Sequence, residues 1–167
     1  MINPLLELKE VSYKNKNNFT LKNVSLRIKS GEKIALLGKS GAGKTTLISI
    51  LNGTLKPNEG RVKLFNTEFD KLNFYQKSKI STIWQDLRLL EDLSAEQNVN
   101  CGLLGKQSFL FAFKNLLNIS SFNKAHQYMQ VCNLKKSIFS KNIRKISGGQ
   151  KQRVAIARSL IQESDIL

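Results

Sequence analysis

The stretch GKSGAGKTT, residues 38–46, decides how the rest of this chain is read. It follows KIALLG, a nearly continuous apolar run of the kind expected for a strand buried on both faces of a parallel sheet. It precedes LISILNG, whose pattern continues as a helix with Gly53 just past its end. Gly38, Gly43, Lys44 and Thr45 match G-x-x-x-x-G-K-[ST], the phosphate-binding loop. The physical reason is in the backbone: glycines let successive N–H groups turn inward, and the following helix brings its positive end to the same point. Lys44 is placed for the β and γ phosphates and Thr45 for a hydroxyl contact to Mg²⁺. A charge-assisted hydrogen bond contributes roughly 1.5 to 3 kcal/mol, and micromolar affinity needs about 8 kcal/mol net of association costs. A few such bonds and the metal suffice. Lys33, Lys39 and Lys56 read as solvated charges, Lys39 counting only as part of the loop.

Working outward, LLELKEVSY and FTLKNVSLRI alternate apolar and polar residues around the turn cluster NKNN, which predicts an antiparallel pair. STIW reads as a further apolar strand ending at Gln85. Ser94 and Gln97 have the spacing of a capping box and open a helix at SAEQNVNCGLL. Ala125, Tyr128, Met129 and Cys132 recur on one helical face. His126, one position off that stripe, reads as a surface side chain.

The 167 residues suffice for one domain with its own core. The N-terminal stretch has no signal-peptide core, and no apolar run is long enough to cross a bilayer. A cytoplasmic protein is expected. Cys101 and Cys132 lack metal-ligand spacing and read as reduced structural thiols. The formal charge is +15, and no acidic residue occurs from Gln97 to Gln162. Such a balance invites nucleic acid or an anionic membrane face. The basic residues are neither clustered nor interleaved with aromatics, however, so a solvated basic surface is expected and no nucleic acid partner.

A second glycine turn narrows the class. ISGGQ at 146–150, followed by KQRVAIARSLI, resembles the signature motif and helix of the ATP-binding cassette (ABC) family, and phosphate loop and signature together stand at that family's spacing. Val154, Ala157, Leu160 and Ile161 form the buried face of this helix, with Lys151 and Arg158 left to solvent. The turn's amides and the Ser147 hydroxyl suit a γ-phosphate.

The resemblance implies an α/β fold of the P-loop NTPase type. It comprises an N-terminal antiparallel β subdomain, part of the parallel core sheet and a helical subdomain, with the C-terminal part of the core missing. Residues 1–93 are expected to form the ATP-binding core, 94–146 the helical subdomain, and 147–167 the signature turn and helix. It also implies ATP and Mg²⁺ as cofactors. Gly38, Lys39, Ser40, Gly41, Ala42, Gly43, Lys44, Thr45 and Thr46 would hold the nucleotide. Tyr13 fits the aromatic that stacks on adenine, or else a core strand residue. Gln85 fits the Q-loop glutamine, a sensor of Mg²⁺ and attacking water, so Thr45 and Gln85 are the metal candidates. Ser147, Gly148, Gly149 and Gln150 would reach the ATP of a partner protomer, because two such chains pair head to tail across the nucleotide.

Further partners implied are transmembrane permease subunits and, indirectly, a solute-binding protein, with the chain peripheral on the cytoplasmic face of the inner membrane. CGLLGKQSFLFAFKNLLN (101–118) is either packed in the helical subdomain or a docking face for a permease helix. Its length and SFLFAFKNLL character are similar to the ATPases of phosphonate importers. In the family, a Walker B strand ending in Asp-Glu follows the signature helix, and a switch histidine comes later. Here the chain ends as that strand begins, at Ile166 and Leu167, and Asp165 precedes the run. The chain therefore reads as truncated, with doubtful hydrolysis of its own and an uncovered apolar sheet edge. The alternatives are a soluble ABC protein acting on ribosomes or DNA, and an inactive remnant.

Overall fold

The computed structural model describes residues 4–15 and 18–167; Lys16 and Asn17, inside the anticipated turn cluster, lie outside the described residues. The chain divides into two compact units, residues 1–73 and 74–167, considered separately below.

Among the described residues, the first unit holds a four-stranded antiparallel sheet, one α-helix and a 3₁₀ turn at Phe69–Lys71. The strands are β1 (Leu6–Asn15), β2 (Asn18–Ile28), β3 (Glu59–Leu64) and β4 (Thr67–Glu68), in the order β2-β1-β3-β4. The anticipated β1–β2 pair forms, with Leu6 opposite Ile28 and Tyr13 opposite Leu21. On its other edge β1 pairs with β3, Leu6 opposite Leu64. Alternation alone would set Leu6, Leu8 and residue 10 on one face. A register irregularity between Leu8 and Val11 rephases the strand, so that Leu6, Leu8 and Val11 are all buried. They share the core with Val62 and Leu64 of β3 and with Leu47 and Ile50 of the helix α1 (Lys44–Leu51). Gly53 ends this helix with φ +74°, as its sequence position suggests, and a Cβ there would overlap the Phe69 ring.

KIALLG does not become a buried strand. Residues 33–38 carry no strand hydrogen bonding among the described residues, Leu37 is 89% exposed, and Ile34 and Leu36 are exposed too. A run so apolar is stable as a strand only when both edges are paired and both faces covered, and no described segment provides that.

The second unit is helical: α2 (Phe74–Lys77), α3 (Ala95–Asn100), α4 (Phe109–Leu116), α5 (Asn123–Val131), α6 (Lys136–Phe139) and α7 (Gly148–Ile161), with a 3₁₀ segment at Cys101–Lys106. The Ser94–Gln97 capping box is present in both directions. The predicted stripe of α5 is realised: Ala125 and Met129 are fully buried, and Tyr128 and Cys132 pack at the edge of the same core. That core is completed by Val99 of α3 and by Val154, Ala157 and Ile161 of α7. His126 is half-buried, its Nε2 lying 2.7 Å from Glu96 Oε2 and its ring against Phe139. The pairing satisfies a carboxylate that is itself buried in the first turn of α3. Burial pushes the Cys101 and Cys132 thiols above their ordinary pKa, which suits unreactive packing residues.

STIW also fails to form a regular strand. The parallel core is represented by one bridge, Ile80 with Ile166, beside which the Ser81 amide donates to the Ile166 carbonyl at 2.8 Å. Gln162 Nε2 supports it by donating to the carbonyls of Ser78 and Ile80. Asp165, set aside as a catalytic carboxylate, pairs with Lys79 at 3.2 Å.

Asn98, fully buried, closes the loop ahead of α3. Its Oδ1 accepts from the Leu90 amide at 2.8 Å, and its Nδ2 donates to the Leu90 and Ser94 carbonyls. Asn98→Ala takes the acceptor from the Leu90 amide, while the Leu90 and Ser94 carbonyls keep the amides of Leu93 and Asn98, and should cost about 1 to 3 kcal/mol. Chemical denaturation checks this; a loss below about 0.5 kcal/mol, the level of an ordinary surface change, would contradict it.

Candidate functional site

The phosphate-loop match occupies the turn between the irregular segment 33–38 and α1. Gly43 is its tightest point. It is buried with φ +85°, and a Cβ on it would lie 2.7 Å from the Thr20 carbonyl oxygen and 2.9 Å from Leu21 Cδ2. Both the dihedral and the proximity of β2 exclude a side chain. Gly41 also has φ +80°, but open space beside it. The sequence therefore needs glycine at position 43 for packing against β2 and at 41 for the turn itself.

Lys44 folds back over this turn. Its Nζ donates to the carbonyls of Gly38 and Lys39, both at 2.7 Å, which fixes the ammonium above the glycine backbone. The Ala42 amide donates to the Lys39 carbonyl at 3.2 Å and closes the turn. No side chain caps α1, and its first turn holds no acidic residue. Its leading N–H groups and the positive end of its dipole are left for an outside acceptor. Ser40 and Thr45 are exposed beside them, and Thr46 is half-buried. This donor set fits a polyphosphate, and the exposed Thr45 hydroxyl fits a hard cation that prefers oxygen.

Tyr13 is half-buried on β1 directly opposite Leu21, the residue whose side chain abuts Gly43. It belongs to the same neighbourhood as the loop.

In the second unit, Ser147 caps α7. Its Oγ accepts from the Gln150 amide at 3.3 Å, and its own amide donates to Gln150 Oε1 at 2.9 Å. The sequence suggested a hydroxyl turned toward an anion; in the structure the cap engages it. The capping box consumes the amides of Ser147 and Gln150, so the N–H groups left at this helix start are those of Gly148 and Gly149. Both glycines are exposed, and a Cβ on either would meet nothing within 4 Å. Unlike Gly43, they are not required by packing against any of the described residues.

Gln85 is exposed in a turn where the Leu87 amide donates to the Trp84 carbonyl at 3.0 Å. Leu87 and Arg88 follow with φ of +57° and +43°, uncommon for residues with side chains. The turn is held from α7. Arg158 donates from Nη1 to the Arg88 carbonyl at 2.7 Å and from Nη2 to the Leu87 carbonyl. Arg88 in turn lies over the Trp84 ring, 3.7 Å from its centroid. Arg158, expected in solvent, is thus half-buried, and burial pulls its pKa below the ordinary arginine value. Sequence spacing alone could not reveal this contact, because the partners are backbone carbonyls some seventy positions away. It joins the glycine-led helix to the turn bearing Gln85.

Comparison with known proteins gives the family. The ABC transporter family model matches residues 21–167. The chain belongs to the ABC transporter family. It is 38% identical over 169 residues to a spermidine/putrescine import ATP-binding protein of Borreliella afzelii, covering 100% of this chain and 46% of that protein. It is 32% identical over 167 residues to a phosphonates import ATP-binding protein of Fusobacterium nucleatum, covering 98% of this chain and 67% of that one. Among solved structures, a dimeric ATP-binding cassette in a post-hydrolysis state bound to ADP and Pi superposes with a TM-score of 0.79 at 29% identity, over 95% of this chain and 70% of that chain. The chain thus spans about half the length of the polyamine-import relative.

Arg158→Met should loosen the Gln85 turn while leaving α7 folded. Hydrogen exchange at the Leu87 amide should then speed up at least about tenfold, the equivalent of one charge-assisted bond. Unchanged exchange would show that the turn is held by other contacts.

Proposed function

We propose that this chain is the ATP-binding part of an ABC importer, coupling nucleotide binding to solute transport by membrane-embedded permease subunits. The observation that carries the reading is the pairing of one uncapped helix start behind a glycine loop, at α1, with a second glycine-led helix start whose glycines face open space, at α7. The first grips a polyphosphate from one side. The second is open to approach, since a Cβ on either glycine would meet nothing within 4 Å among the described residues.

In this reading Gly38 to Thr46 hold the phosphates of ATP, and Tyr13 stacks on adenine. Thr45 and Gln85 hold Mg²⁺, which when bound supplies positive charge against the phosphate oxygens. Lys44 exchanges its two carbonyl partners for phosphate oxygens, a stronger pairing because both members are charged. Ser147, Gly148, Gly149 and Gln150 complete the site of a second chain in a head-to-tail dimer. Arg158 is the positioning residue that keeps the Gln85 turn in register with the signature helix. The chain acts at the cytoplasmic face of the membrane, with a solute-binding protein delivering cargo to the permease. Relatives named for spermidine/putrescine import and for phosphonates import both match over nearly the whole chain, so the phosphonate expectation has no advantage over a polyamine.

Among the described residues, no hydrogen bond or ion pair sets a carboxylate on residues 38–46, where Lys44 holds only backbone carbonyls, so hydrolysis by residues 1–167 alone should be slow. Lys44→Ala should abolish Mg-ATP binding, read by titration with a fluorescent ATP analogue, while circular dichroism stays unchanged; retained affinity would remove the nucleotide assignment. In the same preparation of residues 1–167, phosphate release should stay near background, and rapid turnover would contradict the absence of a water-activating group.

A further inference from the structure

Helix α4 is amphipathic in the reverse sense. At about 100° per residue, Phe109, Leu110, Phe113, Leu116 and Leu117 share one face, and that face points outward: each is between 50% and 88% exposed. Ile119, just beyond the helix, extends the ridge at 65%. The inward face carries Phe111, packed on the helical core, and Asn115, which is 2% exposed. Asn115 is fastened to α3: its Nδ2 donates to the Gln97 carbonyl at 3.1 Å, and Gln97 Nε2 donates to the Asn115 carbonyl at 2.7 Å. The outward orientation is therefore set by a polar lock on the buried side, and rotating the helix to hide its phenylalanines would break two buried hydrogen bonds.

We propose that this ridge inserts into the interface of an anionic lipid bilayer. Two observations favour lipid over a protein helix. The apolar side chains stand proud of the surface, Phe109 at 88% exposed, and a protruding ridge suits a soft phase that closes around it, whereas a docked helix is received in a groove. The charge carried by this segment is basic: Lys114 is exposed on the helix itself, Lys106 lies just before it with its Nζ on the Glu163 carbonyl, and the sequence holds no acidic residue from Gln97 to Gln162, while the Glu163 carboxylate is paired with Lys124. Apolar side chains at the acyl boundary with lysines at headgroup level are the pattern of an interfacial helix, and basic residues near an anionic leaflet add attraction that salt screens. The basic surface read from sequence as merely solvated thus acquires an apolar centre. The inference stands apart from the nucleotide reading.

Co-sedimentation of the full-length protein with vesicles tests it, in the absence of any membrane protein. Binding is expected to phosphatidylcholine vesicles containing phosphatidylglycerol, weaker to pure phosphatidylcholine, and reduced by high salt and by Lys114→Glu. The pairs Phe109→Ser/Leu110→Ser and Leu116→Ser/Leu117→Ser should each weaken partition at least about tenfold. Both replace exposed side chains, and fluorescent-ATP binding by the same variants should be unchanged, which separates this test from the nucleotide one. No vesicle binding by the unmodified protein, or binding by both serine-pair variants as tight as that of the unmodified protein, would overturn the proposal. So would variants that bind vesicles normally but no longer co-purify with a membrane protein, since the ridge would then be a protein-docking face.

Discussion

Much of the first unit depends on the absence of a single side chain at Gly43. With φ +85° and the Thr20 carbonyl 2.7 Å from where a Cβ would sit, the junction between loop and α1 can lie directly on β2. That contact sets where α1 begins, and α1 in turn delivers Leu47 and Ile50 to the sheet core. It also leaves the helix start without a capping side chain. Stability and binding capacity therefore come from one feature: a junction too tight for a side chain, whose donors have no internal acceptor.

The two glycine-led helices show how the same local device serves different ends. At α7 the capping box between Ser147 and Gln150 secures the helix internally, and the glycines between them are free of packing demands. At α1 no side chain caps the helix, and its own first residue, Lys44, reaches back to bridge two carbonyls of the preceding loop. Arg158 then ties α7 to the carbonyls that follow Gln85. A displacement of the signature turn would be felt at the glutamine turn through a short, charged, half-buried linkage.

What the sequence revealed followed from rules of short range. The glycine loop, the Ser94–Gln97 capping box, the α5 stripe and the β1–β2 hairpin each depend on spacings of a few residues, and each formed. What it concealed depended on distant partners. Arg158 read as solvent-facing because its acceptors are backbone atoms of residues 87 and 88, and His126 because Glu96 lies on another helix. β3 alternates only over Arg61, Val62, Lys63 and Leu64, a stretch too short to mark a strand without the edge of β1 beside it. KIALLG reads as a buried strand from composition, yet burial is a property of neighbours, and among the described residues it has none to pair with. The reversed polarity of α4 was hidden for the same reason: nothing in FLFAFKNLL itself says that Asn115 is the inward residue.

The central claim is that the loop of one chain and the signature turn of another grip the same nucleotide. Mixing a Lys44→Ala protein with a Gly148→Asp protein tests it most directly, with ATP-dependent association followed by light scattering. Each variant alone has every composite site spoiled, whereas the mixed dimer retains one intact site, made of the loop from one chain and the turn from the other. The account predicts that neither variant associates on adding Mg-ATP and that the mixture does, with one nucleotide per dimer. Association by either variant alone, or none in the mixture while the unmodified protein dimerises, would contradict it.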